Sequence, residues 1–493
     1  MKKITALLLA LMMGLTLTAF ASEEAPQTAK YVFFFIGDGM GSPQVTATRY
    51  FLGTANNPDA QYPTPSDLSF TTFENTGLMT TYDSSSFCPD SASTASSMAS
   101  GEKTLSGVIN YDVNKENPFK LVSEYAKEAG KKVGVVSTVS VDHATPAAFY
   151  AKSQSRNSYY DIAVQAFETE TLDLLAGGGF KQPKGKEKDK KDVMEIAAEN
   201  EWTVIEGADA IRNLKPEDGK RVYFNTGDLV GGAAMQYEVD RQRIEKDGGD
   251  SLSLAEVTKS AINYLDNENG FFMMVEGGKI DWACHANDAV TTLYETIGFA
   301  DAVQVAVDFA KENPEDTLIV VTGDHETGGL AIGFATTAYD THFDYLFTQN
   351  ISYEDFDKEV GKLREEGKSF EEALELIQKC YGLTTEEGSG LTLTADEVDR
   401  LENAYLQSML PYKQRVIGAE EAFLYGGYEP LTVTCSHVLN NKAGLAYTSY
   451  AHTGLQLPVY AQGVCSEDFV GSYDNTDIFF KLMSAMGLTP ESK

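Results

Sequence analysis

Short apolar runs in this chain end repeatedly in a glycine and an acidic or imidazole side chain. Tyr31–Ile36 precedes Gly37-Asp38, and Val133–Val139 precedes Asp142-His143. Phe271–Val275 leads into Glu276-Gly277-Gly278, and Leu318–Val321 into Gly323-Asp324-His325. Uninterrupted apolar runs of this length predict strands buried on both faces. Between them, helical spacing of apolar positions predicts helices over Phe119–Ala129, Leu254–Leu265 and Ala289–Ala310. The alternation predicts an α/β fold, a mostly parallel central sheet with helices on both faces. Such sheets bind ligands beyond the carboxyl ends of their strands, where the polar clusters fall, so segments remote in sequence can converge on one site.

The texture changes between Ala338 and Tyr447. Acidic helical stretches there begin at Ser369-Phe370-Glu371-Glu372 and Thr394-Ala395-Asp396-Glu397, both with the pattern of a capping box. Residues 338–447 therefore read as a large insertion within one domain spanning 22–493. No Asp-x-Asp-x-Asp-Gly loop occurs in it, so a calcium hand is not supported. At the N-terminus, Lys2 and Lys3 precede an apolar run from Ile4 to Leu17 and then Ala19-Phe20-Ala21. That order is a secretory signal over residues 1–21, which implies an exported protein, periplasmic or secreted. No later stretch is apolar enough to span a bilayer.

Charge and cysteines narrow the partners. Of 493 residues, 39 are Lys or Arg and 73 are Asp or Glu, a formal charge of −34 that disfavours nucleic acid and anionic membrane. Cys88, Cys284, Cys380, Cys435 and Cys465 are odd in number and scattered, with neither a disulfide framework nor zinc-ribbon spacing. Metal ligands would have to be imidazoles and carboxylates.

Histidine is scarce, six in all, yet His143, His285, His325 and His452 lie in motif-like surroundings. Asp281 and His285 are spaced so that a helix turns both toward one point. Asp324-His325 sets a carboxylate beside an imidazole at a strand end. Asp38 lies between glycines that let backbone approach an ion closely, and Glu276 adds a further anion. In Pro89-Asp90-Ser91-Ala92-Ser93-Thr94-Ala95, small residues predict a helix with Ser91 near its N-terminus, where the dipole favours an anion. A serine hydroxyl needs a base or a metal to become a nucleophile. The absence of a Gly-x-Ser-x-Gly elbow disfavours a Ser-His-Asp acyl hydrolase.

Together these segments resemble the alkaline phosphatase family from Tyr31 to about Phe480: IGDGMG at Ile36–Gly41, DSASTA at Asp90–Ala95, HATPAA at His143–Ala148, Arg156, EGGKIDWACH at Glu276–His285, TGDHETGG at Thr322–Gly329 and HTG at His452–Gly454. The resemblance implies hydrolysis of small-molecule phosphate monoesters through a phosphoserine at Ser91, on two zinc ions and one magnesium. By position, Asp281, His285 and His452 would hold the first zinc, and Asp38, Asp324 and His325 the second. Asp38, Thr145 and Glu276 would hold magnesium, and Arg156 would bind phosphate. A homodimer is a further family-level expectation.

His143 and Trp282 stand where some members have other residues. Three roles stay open for His143, a direct ligand, a water-mediated neighbour or a packed ring, and the third site could take magnesium or zinc. Two alternative functions remain in view: a phosphodiesterase or sulfatase of the same superfamily, and a non-catalytic phosphate- or metal-binding protein on this fold.

Overall fold

The computed structural model describes residues 27–215, 220–415 and 418–491. The export signal expected over residues 1–21 lies outside them. In chain order the main strands are β1 (Tyr31–Gly37), β2 (Asn75–Thr80), β3 (Lys132–Ser137), β4 (Leu174–Gly177), β5 (Trp202–Glu206), β6 (Arg221–Asn225), β7 (Phe271–Glu276) and β8 (Thr317–Gly323). Two short pairs follow, β9 (Glu326–Thr327) with β12 (His452–Thr453), and β10 (Ala331–Ile332) with β11 (Leu445–Ala446). Strands β13 (Leu457–Gly463) and β14 (Gly471–Asp474) complete a ten-stranded sheet of order β14-β2-β13-β8-β1-β7-β3-β4-β6-β5. Only β13 runs against its neighbours, β2 and β8; the other pairings in this sheet are parallel.

The four strands expected from sequence are its centre, β8-β1-β7-β3. All seven residues of β1 are buried, as covering on both faces requires. Val32, Phe34 and Ile36 face one core, with Ala92, Met98 and Phe149, while Tyr31, Phe33 and Phe35 face the other, with Phe299 and Val303. Ile36 pairs with Glu276 on one side and Thr322 on the other, and Ser137 also pairs with Glu276. The four strands thus end level, and the residues just past them reach a common edge.

Helices α1 (Ser42–Asn56), α2 (Ser91–Ser100), α3 (Leu254–Leu265), α4 (Lys279–His285) and α5 (Ala289–Glu312) flank the sheet. The bounds of α3 coincide with those predicted. The expected Phe119–Ala129 helix is shorter, Val122–Glu128, because the Phe119 N–H is committed to the Asn110 carbonyl and keeps the entering chain extended. Within 338–447 lie four longer helices, α6 (Tyr353–Glu366), α7 (Phe370–Tyr381), α8 (Ala395–Met409) and α9 (Pro430–Ala443). Both capping boxes are formed, at Ser369 with Glu372 and at Thr394 with Glu397. These helices share a third core, with Phe356, Ile377, Leu401 and Leu439, that rests on Ala47 and Phe51 of α1 and Val290 and Leu293 of α5.

All five cysteines are free thiols, three of them buried. Among the described residues no helix is long and apolar enough to cross a membrane.

Phe34 is fully buried and meets the Phe149 ring edge-on, with centroids 6.0 Å apart. Phe34→Ala should lower the unfolding free energy by about 3–5 kcal/mol, read as a lower denaturant midpoint with unchanged slope.

Candidate active site and metal centre

Ser91 opens α2 because Asp90 caps it: the Asp90 carboxylate accepts the Ser93 N–H at 3.1 Å. Ser91 is buried, and its Oγ lies 3.1 Å from His325 Nε2. Asp90 also holds Arg156, whose Nη1 is 2.8 Å from Asp90 Oδ2, and Arg156 Nη2 stands 3.4 Å from His143 Nε2. One aspartate thereby fixes both the hydroxyl and the guanidinium beside it.

Three groups of potential ligand atoms gather around this serine, each with its atoms within 4.8 Å of one another: Asp281 with His325 and His452, Asp38 with Asp324 and His325, and Asp38 with His143 and Glu276. His285 Nε2 belongs with the first group, 3.1 Å from His452 Nε2 and 3.4 Å from Asp281 Oδ2. His325 Nε2 lies 3.4 Å from Asp38 Oδ1 and 3.3 Å from Asp324 Oδ2. Thr145 Oγ1 stands 3.4 Å from Asp38 Oδ2, beside the third group. Every site residue predicted from sequence is in this one place. His143, left with three roles by the sequence, lies in the third group, with its ring edge-on to Trp282.

The imidazoles are aimed by what their far nitrogens touch. His285 Nδ1 is 2.6 Å from the Tyr450 carbonyl, and His452 Nδ1 is 2.6 Å from the Pro89 carbonyl. A carbonyl accepts only, so each Nδ1 carries hydrogen and each Nε2 is the nitrogen turned to the site. Carboxylates are steered in the same way: Thr327 Oγ1 donates to Asp281 Oδ1 at 2.5 Å, Gly39 N to Asp324 Oδ1 at 3.1 Å, and Ser137 Oγ to Glu276. Gly39, with φ +75°, is required here because a Cβ would lie 2.8 Å from the Asp281 Cα. Thr327 and Ser137 were missed by sequence reasoning; a hydroxyl two residues beyond His325 was the one available hint.

The charges are at odds with one another. Burial, then the neighbouring Asp324, Asp281 and Glu276, pushes the Asp38 carboxyl well above its ordinary range. Burial also lifts Glu276 to about 8, and burial with Asp281 lifts Asp324 to about 7. Burial opposes ionisation of Asp281 too, but the imidazoles of His285, His452 and His325 override it and hold that carboxyl well below normal. His143 is driven down to about 3 by burial and by Arg156. Asp38 Oδ1, Glu276 Oε1 and His143 Nδ1 are buried without a hydrogen-bond partner. Buried oxygens and nitrogens of this kind, facing inward as a mixed carboxylate–imidazole set, fit divalent cations.

The site opens into a cavity of about 380 Å³ lined by Ser91, His143, Arg156, Asp281, His285 and His452 together with Trp282, Tyr353 and Tyr428. The two tyrosines come from the 338–447 segment and carry no sequence signal, since a Tyr in an amphipathic helical stretch looks like any packing residue.

A family model described as Alkaline phosphatase matches residues 29–488. The chain belongs to the alkaline phosphatase family. It is 31% identical to alkaline phosphatase 4 of Bacillus subtilis (strain 168), over 95% of this chain and 94% of that protein. Among solved structures it is similar to a cold-active alkaline phosphatase of a psychrophilic Shewanella, with TM-score 0.75 and 26% identity, covering 94% of this chain and 100% of that one. A mutant alkaline phosphatase of the Antarctic bacterium TAB5, with Mg bound in the M3 site, matches at TM-score 0.63 and 26% identity over 94% of this chain and 100% of that one. The relatives and the fold make this alkaline phosphatase homologue a phosphatase enzyme.

If the clustered carboxylates repel one another when no cation is bound, Asp38→Asn should stabilise chelator-treated protein, raising its midpoint by about 3 °C. The same change should shrink the further rise that added zinc gives the parent, and thermal unfolding with and without zinc checks both.

Proposed function

We propose that the protein hydrolyses phosphate monoesters to an alcohol and inorganic phosphate through a phosphoserine on Ser91, with two zinc ions and one magnesium. The observation that carries this reading is the meeting of the Ser91 hydroxyl, the Arg156 guanidinium and three carboxylate–imidazole groups at one cavity on the carboxyl edge of the sheet. Asp281, His285 and His452 would hold the first zinc, and Asp38, Asp324 and His325 the second. Asp38, Thr145 and Glu276 would hold magnesium, with His143 beside them. The Mg described for the TAB5 mutant supports a third site of this kind. Bound cations would neutralise the carboxylates, favour the ionised serine and offset charge developing on the leaving oxygen.

The chain's own groups account for the remaining steps. Arg156 presents two guanidinium nitrogens to a phosphoryl group, a fork suited to two non-bridging oxygens. Burial opposes its charge, but Asp90 keeps it protonated at alkaline pH. Ser91 Oγ, at the positive end of α2, gives its proton to solvent water and attacks phosphorus in line, while the ester oxygen departs and takes a proton from water. Water then attacks the phosphoserine, breaking the Oγ–P bond and releasing phosphate, while Arg156 holds the same oxygens. Asp90 keeps serine and arginine in register through both displacements. We further infer that residues 1–21 direct export and that 338–447 is an insertion whose tyrosines wall the cavity mouth.

The zinc- and magnesium-loaded protein should hydrolyse p-nitrophenyl phosphate, lose the activity to a chelator and regain it with zinc. Ser91→Ala should lower kcat by on the order of 10³-fold or more. Loaded protein without turnover would contradict the proposal. Arg156→Ala should act largely on KM and weaken inhibition by inorganic phosphate, by about 10-fold or more.

A further inference from the structure

Part of the cavity lining is aromatic, and its side chains are held in place. Trp282 follows Asp281 on α4 and so leaves the ligand cluster for the cavity wall. Its ring meets His143 edge-on at 5.9 Å, and a Cβ on Gly232 would come within 3.0 Å of it. Tyr353, the first residue of α6, donates its backbone N–H to Asp288 Oδ2 at 3.0 Å. Its hydroxyl lies 2.8 Å from that of Tyr237, a fully buried residue whose ring lies 3.3 Å from the Lys279 ammonium. Tyr428 stands nearly perpendicular to Tyr353, with centroids 6.0 Å apart, and stacks on Tyr450 at 6.3 Å.

These contacts leave three aromatic side chains with little freedom to turn away from the cavity that also holds Ser91, so the alcohol portion of an ester whose phosphoryl group meets Ser91 would come within reach of them. Burial raises the Tyr353 and Tyr428 phenols, so both rings stay neutral in alkaline solution. Among the described residues lining the cavity, Arg156 alone carries a fixed positive charge, and Asp90 and the phosphoryl group engage it. Trp282, Tyr353 and Tyr428 offer a second anionic group on the substrate no charge to pair with. A flat, uncharged ring would find edge and face contacts on several sides. About 380 Å³ is room for both a phosphoryl group and such a ring.

We propose that Trp282, Tyr353 and Tyr428 form a subsite for the leaving group, selecting phosphate monoesters of uncharged aromatic alcohols over small aliphatic or polyanionic ones. The inference rests on the phosphomonoesterase reading and adds its substrate class. Benzyl phosphate and ethyl phosphate serve as probes, since both are esters of primary alcohols and differ chiefly in the ring. For the metal-loaded full chain, kcat/KM should favour benzyl over ethyl phosphate by about 10-fold or more, mainly through KM. In a Tyr353→Leu/Tyr428→Leu double variant that ratio should fall toward one. Tyr353→Phe, which keeps the ring and loses only the bond to Tyr237, should retain it.

A parent ratio near one, or a double variant that slows both esters alike, would overturn the subsite while leaving the phosphatase reading intact. Hydrolysis of neither ester by the loaded parent would overturn both.

Discussion

Burial of several carboxylates side by side is the constraint around which this molecule is arranged. Asp38, Glu276, Asp281 and Asp324 are all buried, and ligand atoms of Asp38 lie within 4.8 Å of those of Asp324 and of Glu276. Three of the four are pushed toward protonation in the absence of cations. A fold that brings such groups together gives up stability unless something positive occupies the space between them. The hydrogen bonds around the cluster orient its lone pairs inward and do not neutralise them. The arrangement therefore favours occupied sites, and it links binding of cations to stability as well as to catalysis.

The sheet makes this crowding possible. Because β1, β7, β3 and β8 are parallel neighbours in level register, the residues after each strand land on one edge without any need for adjacency in sequence. Asp38 follows β1, Glu276 ends β7, and Asp324-His325 follows β8. The remaining parts arrive by other routes. His452 is carried in by the β9–β12 pair, Ser91 by the capped start of α2, and Asp281 with His285 by one turn of α4.

Sequence reading is strong where burial is complete and weak where it is partial. The four central strands were legible because both faces are covered, leaving unbroken apolar runs. β2 was not legible, since its residues Asn75–Thr80 alternate in exposure and mix Thr, Gly and Asn, nor was four-residue β4. Site residues in glycine-flanked clusters could be found because few other roles suit an Asp or His there. His143 was harder to read, because a ligand, a water-mediated neighbour and a packed ring all suit an imidazole after a strand, and the structure sets it near both Asp38 and Glu276 and against Trp282. The aromatic wall was invisible for a different reason: Tyr353 and Tyr428 belong to a segment whose helices pack on their own core, and only the tertiary placement of that core turns two ordinary tyrosines toward the serine.

Anomalous diffraction at the zinc edge, from crystals of the metal-replete protein, would test the central claim directly. The account predicts two strong peaks, one enclosed by Asp281, His285 and His452 and the other by Asp38, Asp324 and His325 beside Ser91 Oγ. Density free of metal at these positions, with the carboxylates turned apart or paired with lysine or arginine, would contradict it.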